Sequence, residues 1–163
     1  MSVIDRQATL SSIWELILPS GKMAYAPGPK GKARGSVFKL PNEQAYKILK
    51  TGITSKAINP VGEFLGINKK LMASYLELDR GTVARLTAND QLLPTHAAEN
   101  VLRLLELDGQ ATETFSSEQE ATAWLNRPHQ MLDGDTPLTA AKTSYGAQRV
   151  KDILLAIQYG GVV

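Results

Sequence analysis

Hydrophobic residues recur along this chain at intervals of three and four, the spacing that places side chains on one face of an α-helix. The clearest stripe lies near the C-terminus and consists of Val150, Ile153, Leu154 and Ile157. A second stripe, in the middle of the chain, consists of Ala98, Val101, Leu102 and Leu105. The pattern predicts an all-α fold in which helices joined by short loops share a core.

Residues typical of helix ends divide the first half of the chain. The segment Ser12–Glu15 resembles a capping box, which predicts a short helix that begins there and ends before Pro19. A helix this short is marginal alone, so it is expected to dock on the body of the protein, a sister subunit or a partner, with its own body favoured. Asn42 is expected to open the next helix, which Gly52 ends, and further helical turns lead to Gly66.

The second half of the chain carries similar signals. Thr95 is expected to cap a long helix that ends near residues 107–109. Ser116, with Gln119 three residues later, predicts a capping box at the start of the next helix. Thr136 followed by Pro137 is typical of a helix start. The final helix is expected to follow a turn at Thr143, Ser144, Tyr145 and Gly146 and to end at Gly160 and Gly161.

Two short helices joined by a tight turn are predicted between residues 68 and 88. Asn68 is expected to cap the first helix, and Asp79 the second, which would run from Arg80 to about Ala88. The turn between them contains Glu77 at a position where glycine is usual, and a left-handed backbone there costs a non-glycine residue on the order of 1 kcal/mol. This arrangement predicts a helix-turn-helix, whose second helix enters the DNA major groove.

Polar residues on the outer side of that second helix are the candidate DNA-binding residues, since they can donate to phosphates and base edges. They are Arg80, Thr82, Arg85, Thr87 and Asn89. An alternative remains open, because pairs of short amphipathic helices also occur in proteins that never bind DNA.

Charge is spread unevenly along the chain. Residues 1–58 contain nine Lys or Arg and three Asp or Glu, whereas residues 103–163 contain five and eight. The basic excess includes four residues in a Gly- and Pro-rich stretch from Ser20 to Ser36, namely Lys22, Lys30, Lys32 and Arg34. This composition predicts a flexible linker, with a mobile DNA-binding arm as the alternative.

Composition also narrows the chemistry. The chain has no cysteine and no apolar run that could cross a membrane, so we expect a cytoplasmic protein without membrane contact. His96 and His129 stand alone, and Gly28 to Lys32 lacks the spacing of a phosphate-binding loop. Asp133-Gly134-Asp135 is better explained as a turn than as a metal site. We therefore expect no enzymatic activity, no cofactor and no metal.

The C-terminal sequence contains a set of residues whose order and spacing are specific: Trp124, Leu125, Pro128, Leu132, Thr136, Pro137, Leu138, Gly146, Val150, Leu154, Tyr159 and Gly160. In this pattern it resembles the toxin-binding domain of the Xre/MbcA/ParS antitoxins. Residues of the central segment resemble the Xre-type helix-turn-helix of the same family, and they are Met72, Ala73, Leu76, Leu78, Asp79, Thr82, Val83 and Arg85. The resemblance implies the antitoxin of a type II toxin-antitoxin pair, partnered by a RES-domain toxin that depletes NAD.

Residues 1–41 lie outside the resemblance, and their composition predicts an N-terminal extension and linker. The resemblance implies that residues 42–109 are a helix-turn-helix domain that represses its own operon at operator DNA, and that residues 110–163 are the toxin-binding domain. The C-terminal end would cover the toxin's NAD pocket. The toxin-facing candidates are Gln148, Arg149, Lys151, Asp152, Gln158, Tyr159, Gly160, Gly161, Val162 and Val163.

Arg149 and Tyr159 are favoured among these candidates, because Arg and Tyr are enriched in interface hot spots. Self-association as a homodimer, or a higher hetero-oligomer with the toxin, is expected because helix-turn-helix proteins commonly read paired half-sites. The alternative is a free-standing transcriptional regulator whose C-terminal domain only dimerises. A third possibility is an interaction module that does not bind DNA.

Overall fold

The computed structural model describes residues 3–18 and 40–160, and within them the fold is helical without a β-strand, as predicted. The α-helices of these residues are α1 Val3–Ile17, α2 Asn42–Thr51, α3 Ile58–Phe64, α4 Lys69–Tyr75, α5 Arg80–Ala88, α6 Thr95–Phe115, α7 Glu118–Leu125, α8 Pro137–Ala140 and α9 Ser144–Gln158. Short 3-10 helices occur at Ser55–Ala57 and Gln130–Leu132. None of these helices has the length and apolar character needed to span a bilayer.

Helix α6 is the central element of the fold. Its 21 residues span about 31 Å, and it packs against α2, α3, α7 and α9. The prediction that it ends near residues 107–109 is wrong, because Leu107 and Ala111 are fully buried on either side of Gly109. That burial outweighs the loss of about 1 kcal/mol that glycine causes inside a helix. Thr95 is also not the cap, since the helix starts after Pro94 without a side-chain cap.

The first helix docks on the body, as expected, but its predicted start is wrong. Ser12 lies inside α1, where its hydroxyl donates to the Ala8 carbonyl oxygen at 3.1 Å. A capping residue needs a non-helical backbone, which Ser12 does not have. Ile13, Trp14 and Ile17 are buried, and the helix packs against α3 and the Ser55–Ala57 turn. The predicted linker from Ser20 to Ser36, with its four basic residues, lies outside the described residues.

Arg6 fastens α1 to three other helices. Its guanidinium forms an ion pair with Asp108 of α6 at 2.6 Å, donates to the carbonyl oxygen of Phe64 at 2.8 Å and lies 3.5 Å from a carboxylate oxygen of Glu118. It also stacks over the Phe64 ring, 4.0 Å from the centroid. Burial raises the pKa of Asp108 although the positive charge of Arg6 opposes that shift.

Helix starts in the C-terminal part follow the predicted signals with two corrections. Ser117 caps α7, not Ser116, because Ser116 ends α6 in the left-handed conformation with φ of 53°. The predicted turn from Thr143 is instead the start of α9. Thr143 caps this helix, because the Gly146 amide donates to its hydroxyl at 3.0 Å. Thr136 caps α8 as predicted, by accepting from the Thr139 amide at 3.1 Å.

Candidate functional site

Helices α4 and α5 form a short, well-capped pair. Asn68 accepts from the Leu71 amide at 2.9 Å, and Asp79 accepts from the Thr82 amide at 2.8 Å. Both predicted caps are confirmed. Hydrogen bonds from Thr82 lower the pKa of Asp79, so the capping carboxylate stays ionised at the positive end of α5.

Side chains from outside this pair donate hydrogen bonds to backbone carbonyl oxygens near the C-terminal end of each helix. Asn100 of α6 donates to the Tyr75 carbonyl oxygen at 2.9 Å, where α4 ends. Ser55 donates to the Leu86 carbonyl oxygen at 2.9 Å, near the end of α5. Buried Met72, Tyr75 and Leu86 anchor the inner faces. The outer face of α5 is therefore presented by a fixed support.

The outer face of α5 divides into free and engaged side chains. Arg80 and Arg85 are exposed, and within the described residues their guanidinium groups make no hydrogen bond or ion pair. Thr82 bonds Asp79, the Thr87 hydroxyl donates to Val83 at 2.8 Å, and Asn89 donates to the Arg85 carbonyl oxygen at 2.9 Å. The two guanidinium groups are thus the groups of this set available to a polyanion.

The outward face of α9 carries Gln148, Arg149 and Asp152 of the predicted toxin-facing residues, and Tyr159 follows at the end of the helix. Gln148 donates to Asp152 one turn away at 2.8 Å, and Arg149 donates through Nε to the Met131 carbonyl oxygen at 2.7 Å. Tyr159 is 84% exposed where the helix ends, between Gln158 and Gly160, which are also exposed. The predicted residues Gly161, Val162 and Val163 lie outside the described residues.

Lys151 departs from this face. Its ammonium group pairs with Glu106 of α6 at 3.2 Å, and both side chains are partly buried. The Lys151 carbonyl oxygen also accepts from Gln110 of α6 at 3.3 Å. Lys151 therefore ties α9 to α6, unlike Gln148, Arg149 and Asp152, because it lies on the flank of the helix.

Three large exposed residues near α9 escaped the sequence interpretation. Tyr145 is 92% exposed, Met131 is 41% exposed, and Leu155 is exposed on the same helix. Tyr145 and Leu155 share the outward face of α9 with Asp152 and Tyr159, at helical spacing. The helical spacing of Tyr145 and Leu155 with Asp152 and Tyr159 is visible in the sequence. The prediction that Tyr145 lies in a turn before the helix excluded it from the outward-facing residues.

The start of α9 is fixed by contacts with α6 and α4. The guanidinium of Arg103 donates to the carbonyl oxygens of Ala141 at 3.3 Å and Lys142 at 3.1 Å. It also donates to the Ser144 hydroxyl at 3.2 Å. The ammonium group of Lys142 donates to the Ser74 hydroxyl of α4 at 2.8 Å. The start of α9 is therefore joined to α6, and the loop that precedes it to α4, by direct hydrogen bonds.

Residues 110–160 match the family described as the antitoxin Xre/MbcA/ParS C-terminal toxin-binding domain. The chain is also similar to a protein of Sphingobium sp. (strain YBL2) named Prs ADP-ribosylating antitoxin. The two are 30% identical over 148 residues, which cover 85% of this chain and 93% of that protein. The chain belongs to the Xre/MbcA/ParS antitoxin family. The antitoxin is a binding protein and not an enzyme, and its partner is a toxin.

The matched part of the antitoxin begins in the middle of α6 and contains α7, α8 and α9. It therefore includes the outward face of α9 with Arg149 and Tyr159, and the exposed side chains of Tyr145 and Met131. A regulator whose C-terminal domain only dimerises does not account for a match to a toxin-binding family.

Proposed function

We propose that the antitoxin neutralises a RES-type toxin that consumes NAD, and that it does so by covering the toxin's active site with the end of α9 and the residues that follow. The observation that carries this proposal is the exposure of Tyr159 at the end of a helix in the family's toxin-binding segment. The name of the Sphingobium relative supports an NAD-consuming partner, because the ADP-ribosyl group in such reactions comes from NAD.

Residues at the end of α9 suit the role of a plug. Tyr159 is 84% exposed where α9 ends, and two glycines and two valines follow it in the sequence. An aromatic ring combined with small apolar residues can enter a cleft with little loss of side-chain entropy, since Gly loses none and Val is stiff. The toxin's active site would be blocked by occupation, without chemistry by the antitoxin.

Co-expression with the product of the neighbouring gene tests this proposal. We expect the two proteins to co-purify and cellular NAD to be preserved, whereas deletion of residues 159–163 should restore NAD loss. Tyr46→Ala provides a matched control, because Tyr46 is 65% exposed on α2, outside the matched segment. Preserved NAD with the truncated antitoxin would exclude a role for the C-terminal end, and unchanged NAD with the toxin alone would exclude an NAD-consuming partner.

We further propose that the antitoxin represses its own operon through α4 and α5, as a helix-turn-helix. The free guanidinium groups of Arg80 and Arg85 support this function, because Arg is the commonest side chain in base and phosphate contacts. The hydroxyl groups of Thr82 and Thr87 could donate to DNA only by exchanging their present bonds, whereas the Asn89 amide keeps a second N–H donor. Binding as a dimer to paired half-sites would follow the usual geometry of the motif.

Promoter binding tests this second function. The double variant Arg80→Ala with Arg85→Ala should bind a fragment of its own promoter roughly tenfold more weakly or worse, with a salt dependence reduced by about two phosphate contacts. Arg127→Ala is the control, because Arg127 is an exposed arginine on the loop after α7. Equal affinity of the double variant and wild type would remove DNA binding from α5.

A further inference from the structure

The most exposed aromatic side chain among the large hydrophobic residues of the described chain is that of Tyr145, in the first turn of α9. Arg149 follows it by one helical turn and donates to the main chain of Met131, whose own side chain is exposed. The three side chains therefore form a continuous surface, the Tyr145 patch, at the beginning of α9. Tyr, Arg and Met are enriched where proteins bind one another.

Met131 is held by a rigid loop. The His129 ring accepts from the Met131 amide at 3.2 Å, and the His129 amide donates to Asp135 at 3.0 Å. Asp133 and Gly134 adopt the positive φ values that close the turn. A surface fixed before binding loses little entropy on association. The backbone that presents Met131 within the Tyr145 patch is thus ordered before a partner binds.

The Tyr145 patch lies far from the end of the helix. Tyr145 and Tyr159 are separated by 14 residues of helical rise, about 21 Å. A toxin cleft that receives the C-terminal end therefore cannot receive Tyr145 as well unless the toxin follows most of the outward face of α9. Two distinct contact regions result, one at each end of the helix.

The area needed for tight binding favours use of both regions. A stable interface buries roughly 800 Å² of each partner, and an aromatic side chain supplies about 150–250 Å². The end of α9 offers one tyrosine, followed by two glycines and two valines. The toxin must therefore contact more of the antitoxin than its last five residues, and the Tyr145 patch lies in the same toxin-binding segment.

We propose that the Tyr145 patch is an anchor that binds the toxin surface outside its active site and supplies affinity, while the C-terminal end blocks the active site. This inference rests on the proposed function of the C-terminal end, and it separates binding from inhibition. The occupant is the toxin; a second copy of the antitoxin is the competing occupant and is distinguished by the experiment.

The experiment compares Tyr145→Ala, the antitoxin lacking residues 159–163 and Tyr46→Ala with wild type. Calorimetry gives the toxin Kd, and NAD consumption at saturating antitoxin gives the inhibition. We expect Tyr145→Ala to raise Kd by roughly tenfold or more and still to inhibit fully at saturation. The truncated antitoxin should bind at saturation without inhibiting, and Tyr46→Ala should match wild type in both measurements.

Each other outcome decides against the anchor. An unchanged Kd for Tyr145→Ala, with wild type binding normally, overturns it while leaving the proposed function intact. An unchanged Kd together with loss of antitoxin self-association, measured by light scattering, assigns the patch to a second copy. Absence of toxin binding by wild type overturns the proposed function and the anchor with it. Circular dichroism of each variant verifies that Tyr145→Ala keeps its helical content.

Discussion

Glu77 holds a backbone conformation that its side chain does not favour. It has φ of 55° in the turn between α4 and α5, where its amide donates to Ser74 and the next amide, that of Leu78, donates to Ala73. These bonds end α4 and set the direction in which the chain enters α5. The turn geometry therefore takes precedence over the local preference of the glutamate.

Glu77→Gly should raise the free energy of unfolding by about 1 kcal/mol, because glycine adopts positive φ without the clash that an L side chain meets there. Urea denaturation measures the change. Ala84→Gly is the matched control: Ala84 is exposed inside α5, where glycine should lower stability by about 1 kcal/mol. Two shifts of the same sign would contradict the assignment of strain to Glu77.

Three caps were readable from the sequence because their hydrogen bonds span only three residues, whereas Ser12, Thr95 and Ser116 do not cap the helices expected of them. Asn68, Asp79 and Thr136 all cap the helices expected of them. The exposure of Arg80 and Arg85 was readable as well, because it follows from the period of a short helix with one buried face. At this scale the residue type and its immediate neighbours determine the structure.

At the scale of elements, α8 and α9 meet at a close approach that requires glycine. A Cβ at Gly146 would overlap the carbonyl oxygen of Ala140. Gly146 therefore allows the first turn of α9 to begin directly against the end of α8, where Arg103 holds both. This contact sets the direction in which α9 presents Tyr145.

Gly146→Ala should lower the free energy of unfolding by about 1–3 kcal/mol through overpacking, although the same change in an open helix would raise it by about 1 kcal/mol. Thermal and urea unfolding report the sign. Gln148→Ala, an exposed change on the same helix, should stay within about 0.5 kcal/mol of wild type. A stabilised Gly146→Ala variant would show that α8 and α9 can separate without loss.

Element ends that depend on distant partners could not be predicted. Helix α6 continues past Gly109 because Leu107 and Ala111, on either side of it, are buried in the core that α6 forms with elements distant in the chain. The cap of α7 moves from Ser116 to Ser117 because the longer α6 ends in a left-handed residue. The start of α9 was misplaced in the same way, and Tyr145 was lost from the candidate surface as a result.

At the scale of the whole molecule, Arg6 connects four helices through one guanidinium group. It contacts Phe64 of α3, Asp108 of α6 and Glu118 of α7 from its position on α1. A buried ion pair is not in itself strongly stabilising, yet removal of one partner leaves a charge buried alone. The ion pair therefore determines the position at which α1 docks, and contributes less to the free energy of unfolding.

Arg6→Ala should destabilise the protein by about 3–5 kcal/mol, because it removes the partner whose charge and hydrogen bonds offset the burial of Asp108. Replacement of both residues, Arg6→Met with Asp108→Leu, should recover most of that loss. Chemical denaturation of the single and double variants gives the comparison. A double variant as unstable as Arg6→Ala would indicate that the contacts with Phe64 and Glu118 matter more than the ion pair.

The raised pKa of Asp108 has a defined consequence for pH dependence. Burial makes folded Asp108 bind its proton at higher pH than it does when unfolded. Between these two pKa values the folded state holds more protons, so this residue's contribution to the free energy of unfolding increases as pH falls through that window. Relative to Asp108→Asn, wild type should therefore gain stability on acidification from neutral pH.

Parallel unfolding experiments on wild type and Asp108→Asn across that pH range isolate this contribution. Other carboxyl groups with shifted pKa values are present in both proteins, so to first order they cancel in the difference; they are Glu43, Asp79, Asp90 and Glu113. A difference that stays constant with pH, or that shrinks on acidification, would contradict a raised pKa for Asp108.

Because α6 is one continuous helix, it limits where the genes of this antitoxin and its relatives can be recombined. The proposed boundary between residues 109 and 110 falls inside this helix, which supports α4 through Asn100 and α9 through Gln110. A crossover at that point would join two halves of α6 that come from different proteins. The residues of α6 would then no longer match the helices packed on either side of it. Exchange of the proposed DNA-binding helices α4 and α5 between relatives should instead succeed when the breakpoint lies in the loop before Thr95, so that α6 is inherited whole with the toxin-binding part.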